Sequence, residues 1–168
     1  DAAFLIDKML TNFGEKVTPT MRQAYGAQGL SLSEAVTLAS IVQREAVLVE
    51  ERPLIAGVFL NRLAQGMSLS ADPTVQYAAG YDAASESWWK VPLFLSDLQF
   101  DSPYNTYVYT GLPPGPIAAP SLGALEAVAN PAPSNFLFFV ADCHADAAGT
   151  HSFSVTFDEH LAKAQRCQ

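Results

Sequence analysis

The residue of this sequence best suited to acid–base chemistry is Glu45, a carboxyl group on the apolar side of a predicted helix. Apolar residues recur from Leu38 to Val49 with a period of about 3.6, which predicts an amphipathic helix. At about 100° per residue, Glu45 lies between Ile41 and Val42, near the centre of the apolar stripe. A carboxylate that faces the core loses hydration, so its pKa should rise. A carboxylic acid that keeps its proton near neutral pH can act as a general acid.

A purely structural role is the alternative for Glu45. A buried Glu is commonly held by an arginine or by backbone donors, and it then takes no part in chemistry. The arginines that are near enough in sequence to pair with it are Arg22, Arg44, Arg52 and Arg62. Helix geometry alone leaves both roles open.

The composition is that of a globular domain and restricts the classes of partner. The chain has 168 residues, of which 49% are hydrophobic and 15% charged, enough for one domain with a real core. The net charge of -8 and the lack of any basic run argue against nucleic acid and anionic lipid. Neither an apolar stretch of membrane length nor a signal peptide is found, which predicts a soluble piece. The chain opens in helix-like sequence, so we expect it to be part of a longer protein.

The cysteine and histidine pattern does not indicate a metal site or a redox motif. Cys143 and Cys167 are far apart, and either a disulfide or two free thiols would fit the sequence. The histidines lack the spacing of metal ligands, although His144 with Asp142 and Asp146 could bind a stray ion. We therefore expect no cofactor and no metal.

Start and stop signals predict a helical first half. Residues 31–34 (Ser-Leu-Ser-Glu) form a capping box for the helix that carries Glu45. Pro53 is predicted to open the next helix, which ends at Gly66. Asp72 is predicted to cap a further short helix that Pro73 opens. Two earlier helices are predicted near residues 4–13 and 18–29.

Strand signals are confined to the C-terminal half. Residues 106–109 alternate like a strand, and residues 136–140 read as a buried strand whose partner is 151–155. A second capping box at residues 156–159 begins the last helix. Helices followed by a small, mostly antiparallel sheet predict an α+β fold. We expect a single domain over 1–168, with 1–30 as a helical lead-in and 31–168 as the core.

A set of segments in a fixed order resembles one known family. They cover most of residues 30 to 160 and are Leu38–Glu45, Glu51–Pro53, Ala56–Leu63, Gly66-Met67, Asp72–Val75, Ser102–Tyr107, Gly111–Ile117, Asn130-Pro131 and His151–Phe153. With this set the sequence resembles the YceG-like endolytic murein transglycosylases.

The resemblance implies an enzyme that cuts bacterial peptidoglycan glycan strands internally. The bond lies between N-acetylmuramic acid and N-acetylglucosamine, and the product carries a 1,6-anhydro-muramic acid end. The catalytic Glu of the family corresponds to Glu45. The resemblance further implies a full-length protein anchored in the cytoplasmic membrane, acting at its extracytoplasmic face and working with peptidoglycan synthases.

The sequence departs from the family pattern around the predicted catalytic residue. The family usually reads Ile-Val-Glu-Lys-Glu-Thr, whereas this chain has Gln43, Arg44 and Ala46. Loss of the hydroxyl at position 46 could remove a hydrogen bond near the site. The segment 81–100 is longer than is usual, so no family role can be transferred to Trp88 or Trp89.

Six further residues are candidates for contacts with the sugar. The amide of Asn105 could bind an N-acetyl group, and neighbouring tyrosines could offer their rings to a sugar. Each candidate also has a structural alternative, such as a turn for Asn105, a helix cap for Asp72 and a strand position for His151. The predicted substrate-binding residues are Asn105, Tyr104, Thr106, Thr74, Asp72 and His151.

Two other functions remain open from the sequence. A muramidase-type hydrolase would cut the same bond but release a reducing end. A non-catalytic peptidoglycan-binding or scaffold domain would bind glycan without cutting it, but such a domain gains nothing from a desolvated acid at Glu45.

Overall fold

Seven helices and one two-stranded sheet make up the fold in the computed structural model, which describes residues 1–167. The strands β1 (Phe138–Ala141) and β2 (His151–Ser154) are antiparallel. The order of the elements confirms the predicted α+β class. The helices are α1 (Ala2–Lys16), α2 (Pro19–Ala27), α3 (Leu32–Glu45), α4 (Arg52–Ala64), α5 (Asp72–Ala79), α6 (Leu122–Ala129) and α7 (Phe157–Gln165), with 3-10 turns at Val49–Glu51 and Asp97–Gln99.

Both predicted capping boxes are confirmed. The Glu34 carboxylate accepts from the backbone N–H of Ser31 at 2.8 Å, and the Ser31 hydroxyl accepts from the backbone N–H of Glu34 at 3.3 Å. Thr156 and Glu159 make the equivalent pair at the start of α7. These bonds satisfy backbone donors that have no partner within the helix, and so fix where α3 and α7 begin.

The predicted cap at Asp72 is wrong. Asp72 is the first residue of α5, and Ala71 precedes it without a side-chain cap. The Thr74 hydroxyl donates to the carbonyl oxygen of Ala71 at 2.7 Å and holds the first turn together. The Asp72 carboxylate is therefore available for another partner.

Helix α3 lies at the centre of the hydrophobic core and packs against α2, α4, α5 and α6. Leu38, Ile41 and Val42 of α3 have no exposed surface, and neither does Ile55 of α4. Burying such a side chain stabilises the fold by about 1.5–3 kcal/mol relative to exposure. Packing on several sides thus fixes the direction of α3 and the position of its last residue, Glu45.

Two close contacts join the long loops to this core. The Ser40 hydroxyl accepts from the backbone N–H of Ile117 at 2.9 Å and fixes the end of the proline-rich loop against α3. A Cβ built on Gly57 would lie 2.9 Å from the carbonyl oxygen of Ala132, so α4 can approach the 130s segment only with glycine there.

The strand predicted at residues 106–109 is wrong, because these residues form consecutive turns. The backbone N–H groups of Val108 and Tyr109 donate to the carbonyl oxygen of Asn105 at 3.2 and 2.9 Å rather than to a neighbouring strand. Thr106 is buried, and its hydroxyl accepts from the backbone N–H of Ala71 at 3.0 Å. The Thr106 side chain thus bonds the start of α5 instead of lying on an exposed sheet face.

A disulfide between Cys143 and Cys167 ties the loop after β1 to the chain beyond α7. This result decides between the two alternatives left open by the sequence. No helix within residues 1–167 is long and apolar enough to cross a bilayer.

Candidate active site

Glu45 is the last residue of α3, and its side chain lines a cavity of about 560 Å³. One wall of the cavity comes from the helical half and includes Arg62, Asp72 and Tyr107. The other wall is formed by β1, by His151 at the start of β2, and by α7. Glu45 is partly exposed, in contrast to Ile41 and Val42 before it. The apolar stripe of α3 therefore ends at an open cavity.

The pKa of Glu45 is raised from 4.5 to about 8, and the largest cause is burial in apolar surroundings. The nearby Asp72 carboxylate contributes to this rise, and the Arg62 guanidinium opposes it. Within residues 1–167 the Glu45 carboxyl has no ion pair within 4.0 Å and no hydrogen bond. A carboxyl group in this environment keeps its proton at neutral pH and can donate it to a ligand in the cavity.

Arg62 does not form the ion pair that a purely structural Glu45 would need. Its guanidinium donates to the carbonyl oxygens of Leu69 at 2.6 Å and of Leu137 at 2.5 Å. The same group lies 5.1 Å from the centre of the Phe138 ring. Arg62 therefore contributes a positive field to the cavity, while its Nε and Nη1 groups donate to the backbone.

The other three arginines named as possible partners are also engaged elsewhere. Arg22 donates to the carbonyl oxygen of Val17, and Arg52 donates to the Ser121 hydroxyl. The Arg44 guanidinium stacks on the Trp89 ring at 3.7 Å. Trp89 thus helps to hold the 81–100 segment against the end of α3.

Asp72 places a second carboxyl group in the cavity. Its Oδ1 accepts a hydrogen bond of 2.6 Å from the hydroxyl of Tyr107. Burial, followed by the bond and charge of Asp72, raises the pKa of the Tyr107 hydroxyl, which therefore stays protonated and remains a donor. Asp72 acts on Glu45 through its charge and is itself oriented by Tyr107.

His151 is held at the cavity by Glu51. The Glu51 carboxylate accepts from the backbone N–H of His151 at 2.8 Å and bonds the ring Nδ1 at 2.6 Å. Both side chains are only 12% exposed. The ring of Phe139 packs edge-on against the imidazole at 5.4 Å.

Stacked rings form much of the wall that faces Glu45. His160 stacks on Phe138 at 5.5 Å and on Phe157 at 6.0 Å, with interplanar angles of 29° and 30°. Burial, aided by the charge of Arg62, lowers the pKa of His160, so this ring is neutral at pH 7. Phe157 is 55% exposed and lines the cavity. Flat apolar faces of this kind suit the carbon-bound hydrogens of a sugar ring.

Three of the predicted sugar-binding residues are internal and do not line the cavity. Asn105 has no exposed surface: its amide donates to two backbone carbonyls, at 3.0 and 2.8 Å, and accepts from the backbone N–H of Tyr107. Thr74 and Thr106 are buried and bond each other at 2.9 Å. In this structure the three side chains hold Ala71 and Tyr107 in place, and none of them lines the cavity. Their contact with a sugar stays a prediction.

Tyr104 is also separate from the cavity. Its ring packs against Tyr77 with the centroids 4.9 Å apart. Of the residues predicted from sequence, the cavity thus brings together Glu45, Asp72 and His151.

Sequence reasoning assigned no role to several residues that line the cavity. Tyr107 lies in the turns at residues 106–109, and Phe157 and His160 lie on α7. Both segments are far from Glu45 in the chain, so no local pattern relates them to it. Glu51 lies next to the start of α4, where an acid commonly interacts with the positive end of the helix, and nothing in its local sequence relates it to His151. Ser70 also lines the cavity and has a φ of 49°, which is unusual for a residue other than glycine.

The one cluster of possible metal ligands among the described residues is Cys143, His144 and Cys167. Both cysteines are in the disulfide, so neither offers a thiolate. The cluster is exposed and its residues do not line the Glu45 cavity.

Comparison with known proteins finds similarity to one family and to relatives with one named activity. The model of the YceG-like family matches residues 1–166. An endolytic murein transglycosylase from Streptococcus pneumoniae strain D39 is 39% identical over 82% of this chain. An endolytic murein transglycosylase from Bacillus subtilis strain 168 is 40% identical over 78% of this chain. The aligned part spans 24% and 33% of those two proteins, so this chain corresponds to about a quarter to a third of their length.

A solved structure shows the same fold. The crystal structure of a yceG-like protein from Listeria monocytogenes superposes with a TM-score of 0.79 at 36% sequence identity, covering 96% of this chain and 48% of that one. The family match over nearly the whole chain, together with this shared fold, shows that the chain belongs to the YceG-like family.

Proposed function

We propose that this domain cleaves peptidoglycan glycan strands internally, as a lytic transglycosylase that leaves 1,6-anhydro-muramic acid ends. The observation that carries the proposal is the Glu45 carboxyl group, which is desolvated and unpaired and has a pKa of about 8 in an open cavity. The relatives named endolytic murein transglycosylases support the same substrate and class of reaction. The activity of a longer protein containing this domain is part of the proposal.

In the proposed reaction Glu45 serves in both steps. Its proton passes to the glycosidic oxygen as the bond from that oxygen to C1 of muramic acid breaks, and positive charge develops at C1 and the ring oxygen. The 6-hydroxyl oxygen of the same muramic acid then bonds to C1, and its proton passes to the Glu45 carboxylate. No water is consumed, and the acid is regenerated. A group with a pKa near neutrality is suited to both transfers.

The negative charge of Asp72 supports this cycle in two ways. It favours the protonated form of Glu45 before cleavage. It also lies in the cavity in which oxocarbenium-like charge would develop, where a fixed negative charge is stabilising. Tyr107 holds Asp72 in place through the bond of 2.6 Å.

The test is digestion of purified, peptide-free glycan strands, with the products identified by mass spectrometry. The anhydro product is lighter than the hydrolysed product by one water molecule. We expect Glu45→Gln to lower turnover by about 10²–10⁴-fold, because an amide cannot donate the proton. The exposed acid Glu50 provides the matched control, and Glu50→Gln should retain activity. Wild-type rates of anhydro-product release by Glu45→Gln would refute the assignment.

A muramidase-type hydrolase is the second candidate, and the presence of Asp72 in the same cavity favours it. Two carboxyl groups that flank the scissile bond can support hydrolysis, with the second as nucleophile or as base for water. In that case the products would carry reducing ends, and Asp72→Asn would abolish activity as completely as Glu45→Gln. Under our proposal, Asp72→Asn retains measurable anhydro-product formation.

We infer that the domain acts at the extracytoplasmic face of the bacterial cytoplasmic membrane, in a membrane-anchored protein that works with peptidoglycan synthases. The disulfide between Cys143 and Cys167 supports an oxidising compartment. Labelling of the protein in intact cells with a reagent that does not cross the membrane tests the location. Crosslinking in cells tests the synthase partners. A non-catalytic scaffold is the outcome if the pure domain binds glycan strands but releases no product.

A further inference from the structure

Glu51 is a buried acid that the proposed mechanism does not use. It lies at the start of α4, it is 9% exposed, and its two carboxylate oxygens are used by one residue one hundred positions later in the chain. Burial of a carboxylate is costly unless the group is well bonded, and a helix start does not require an acid with such a distant partner. The partner, His151, lines the Glu45 cavity.

The pair of bonds determines the state of the imidazole ring. An ionised carboxylate only accepts hydrogen bonds, so Nδ1 of His151 must carry the proton. The second bond, from the backbone N–H of His151 to the other oxygen of Glu51, fixes the carboxylate in the plane that suits Nδ1. In a free neutral histidine the proton is not held at this nitrogen, so Glu51 selects the tautomer.

The Nε2 edge of the His151 imidazole is the edge available to a ligand in the cavity. Within residues 1–167, the Nε2 of His151 has no hydrogen-bond partner, while Phe139 packs on the imidazole from the side. A neutral Nε2 without its proton is an acceptor. The helical wall of the same cavity carries protonated Glu45, Arg62 and Tyr107, and the Tyr107 hydroxyl donates to Asp72.

We propose that Glu51 is a positioning residue that fixes His151 with Nδ1 protonated, so that Nε2 accepts a hydrogen bond from a sugar hydroxyl in the Glu45 cavity. This inference rests on the proposed function, because it names a contact with the glycan substrate of that site. His151 touches the sugar, and Glu51 acts only through His151.

The tautomer is tested first, without substrate. Long-range proton–nitrogen NMR of the imidazole distinguishes a ring with the proton at Nδ1 from one with the proton at Nε2. We expect the Nδ1 form in the wild type and a shift toward the Nε2 form in Glu51→Gln. A wild-type ring protonated at Nε2, whether alone or together with Nδ1, would overturn the proposal, because Nε2 would then be a donor, and it would leave the proposed function untouched.

Two substitutions of His151 then separate substrate contact from structural support. Asn places a polar atom near the position of Nδ1 and can keep the bond to Glu51, whereas Gln places one near Nε2 and can reach the cavity. The probe is a peptide-free tetrasaccharide of alternating N-acetylglucosamine and N-acetylmuramic acid, bound to the Glu45→Gln background. We expect His151→Asn to raise the Kd by about tenfold and His151→Gln by about threefold or less, as loss of one hydrogen bond implies.

If His151→Gln raised the Kd more than His151→Asn, the proposal would be overturned. A purely structural histidine needs the bond to Glu51, which Asn can keep, and does not need a polar group in the cavity. The exposed residue His144 provides the matched control, and His144→Gln should leave the Kd unchanged. Glu51→Gln should weaken binding when His151 is present and have little effect in the His151→Gln background, since the two residues act as a unit. If Glu45→Gln neither binds nor cleaves the tetrasaccharide and the wild type does not cleave glycan, the proposed function fails, and this inference fails with it.

Discussion

Replacing Glu45 by Gln should stabilise the protein at neutral pH while it removes activity. The substitution keeps the size of the side chain and removes the ionisable group from its desolvated position. In the folded protein the pKa of Glu45 is about 8, compared with 4.5 for an unperturbed Glu. The unfolded chain therefore loses the Glu45 proton at a pH where the folded protein still retains it.

The sign and size of the effect follow from this difference. Below pH 4.5 the carboxyl group is protonated in both states and contributes nothing to the pH dependence. Between pH 4.5 and about 8 the folded state binds one proton more, so the free energy of unfolding falls by about 1.4 kcal/mol for each pH unit. At pH 7 this amounts to about 3 kcal/mol, and above pH 8 the loss stays constant. Glu45→Gln removes this loss.

Urea unfolding of the wild type and of Glu45→Gln at a series of pH values measures the effect. The difference between the two free energies of unfolding should grow in favour of Glu45→Gln from pH 4 to pH 8 and then level off. Other titrating groups cancel in the difference, because both proteins contain them. Glu50→Gln, which changes an exposed acid, should show no such slope. A difference that stays flat across this range would refute the claim that Glu45 keeps its proton in the folded protein.

Three further predictions concern Asp72, Asn105 and Gly57. In the wild type, kcat/KM should fall at high pH as Glu45 loses its proton near pH 8. In Asp72→Asn this fall should occur at lower pH, because the neighbouring negative charge no longer raises the pKa of Glu45, and a pH–rate profile checks this. Asn105→Ala should destabilise the fold by about 2–4 kcal/mol in urea unfolding, because buried backbone groups lose their partners. Gly57→Ala should destabilise by about 1–3 kcal/mol, although alanine favours helix in general, because its Cβ would lie 2.9 Å from the Ala132 oxygen; thermal unfolding reports the sign.

Local patterns predicted much of the fold, and they failed where side chains had distant partners. The capping boxes at Ser31 and Thr156 depend on residues three positions apart, so a short stretch of sequence contains all the necessary information. The strand predicted at residues 106–109 and the cap predicted at Asp72 failed for the opposite reason. The Thr106 hydroxyl bonds Thr74, and Asp72 bonds Tyr107, across 32 and 35 positions.

By itself, the sequence determined the α+β class and the presence of an acid on the buried side of α3. Both follow from periodicity and capping, which act within a few turns of chain. Only the tertiary structure decided that no arginine pairs with Glu45, that the end of α3 opens on a cavity, and that Asp72 and His151 reach this cavity while Asn105 does not. The physical reason is that desolvation and charge depend on everything within several ångströms. Those neighbours come from β1, β2, α4, α5 and α7, which only the packing of the whole chain brings together.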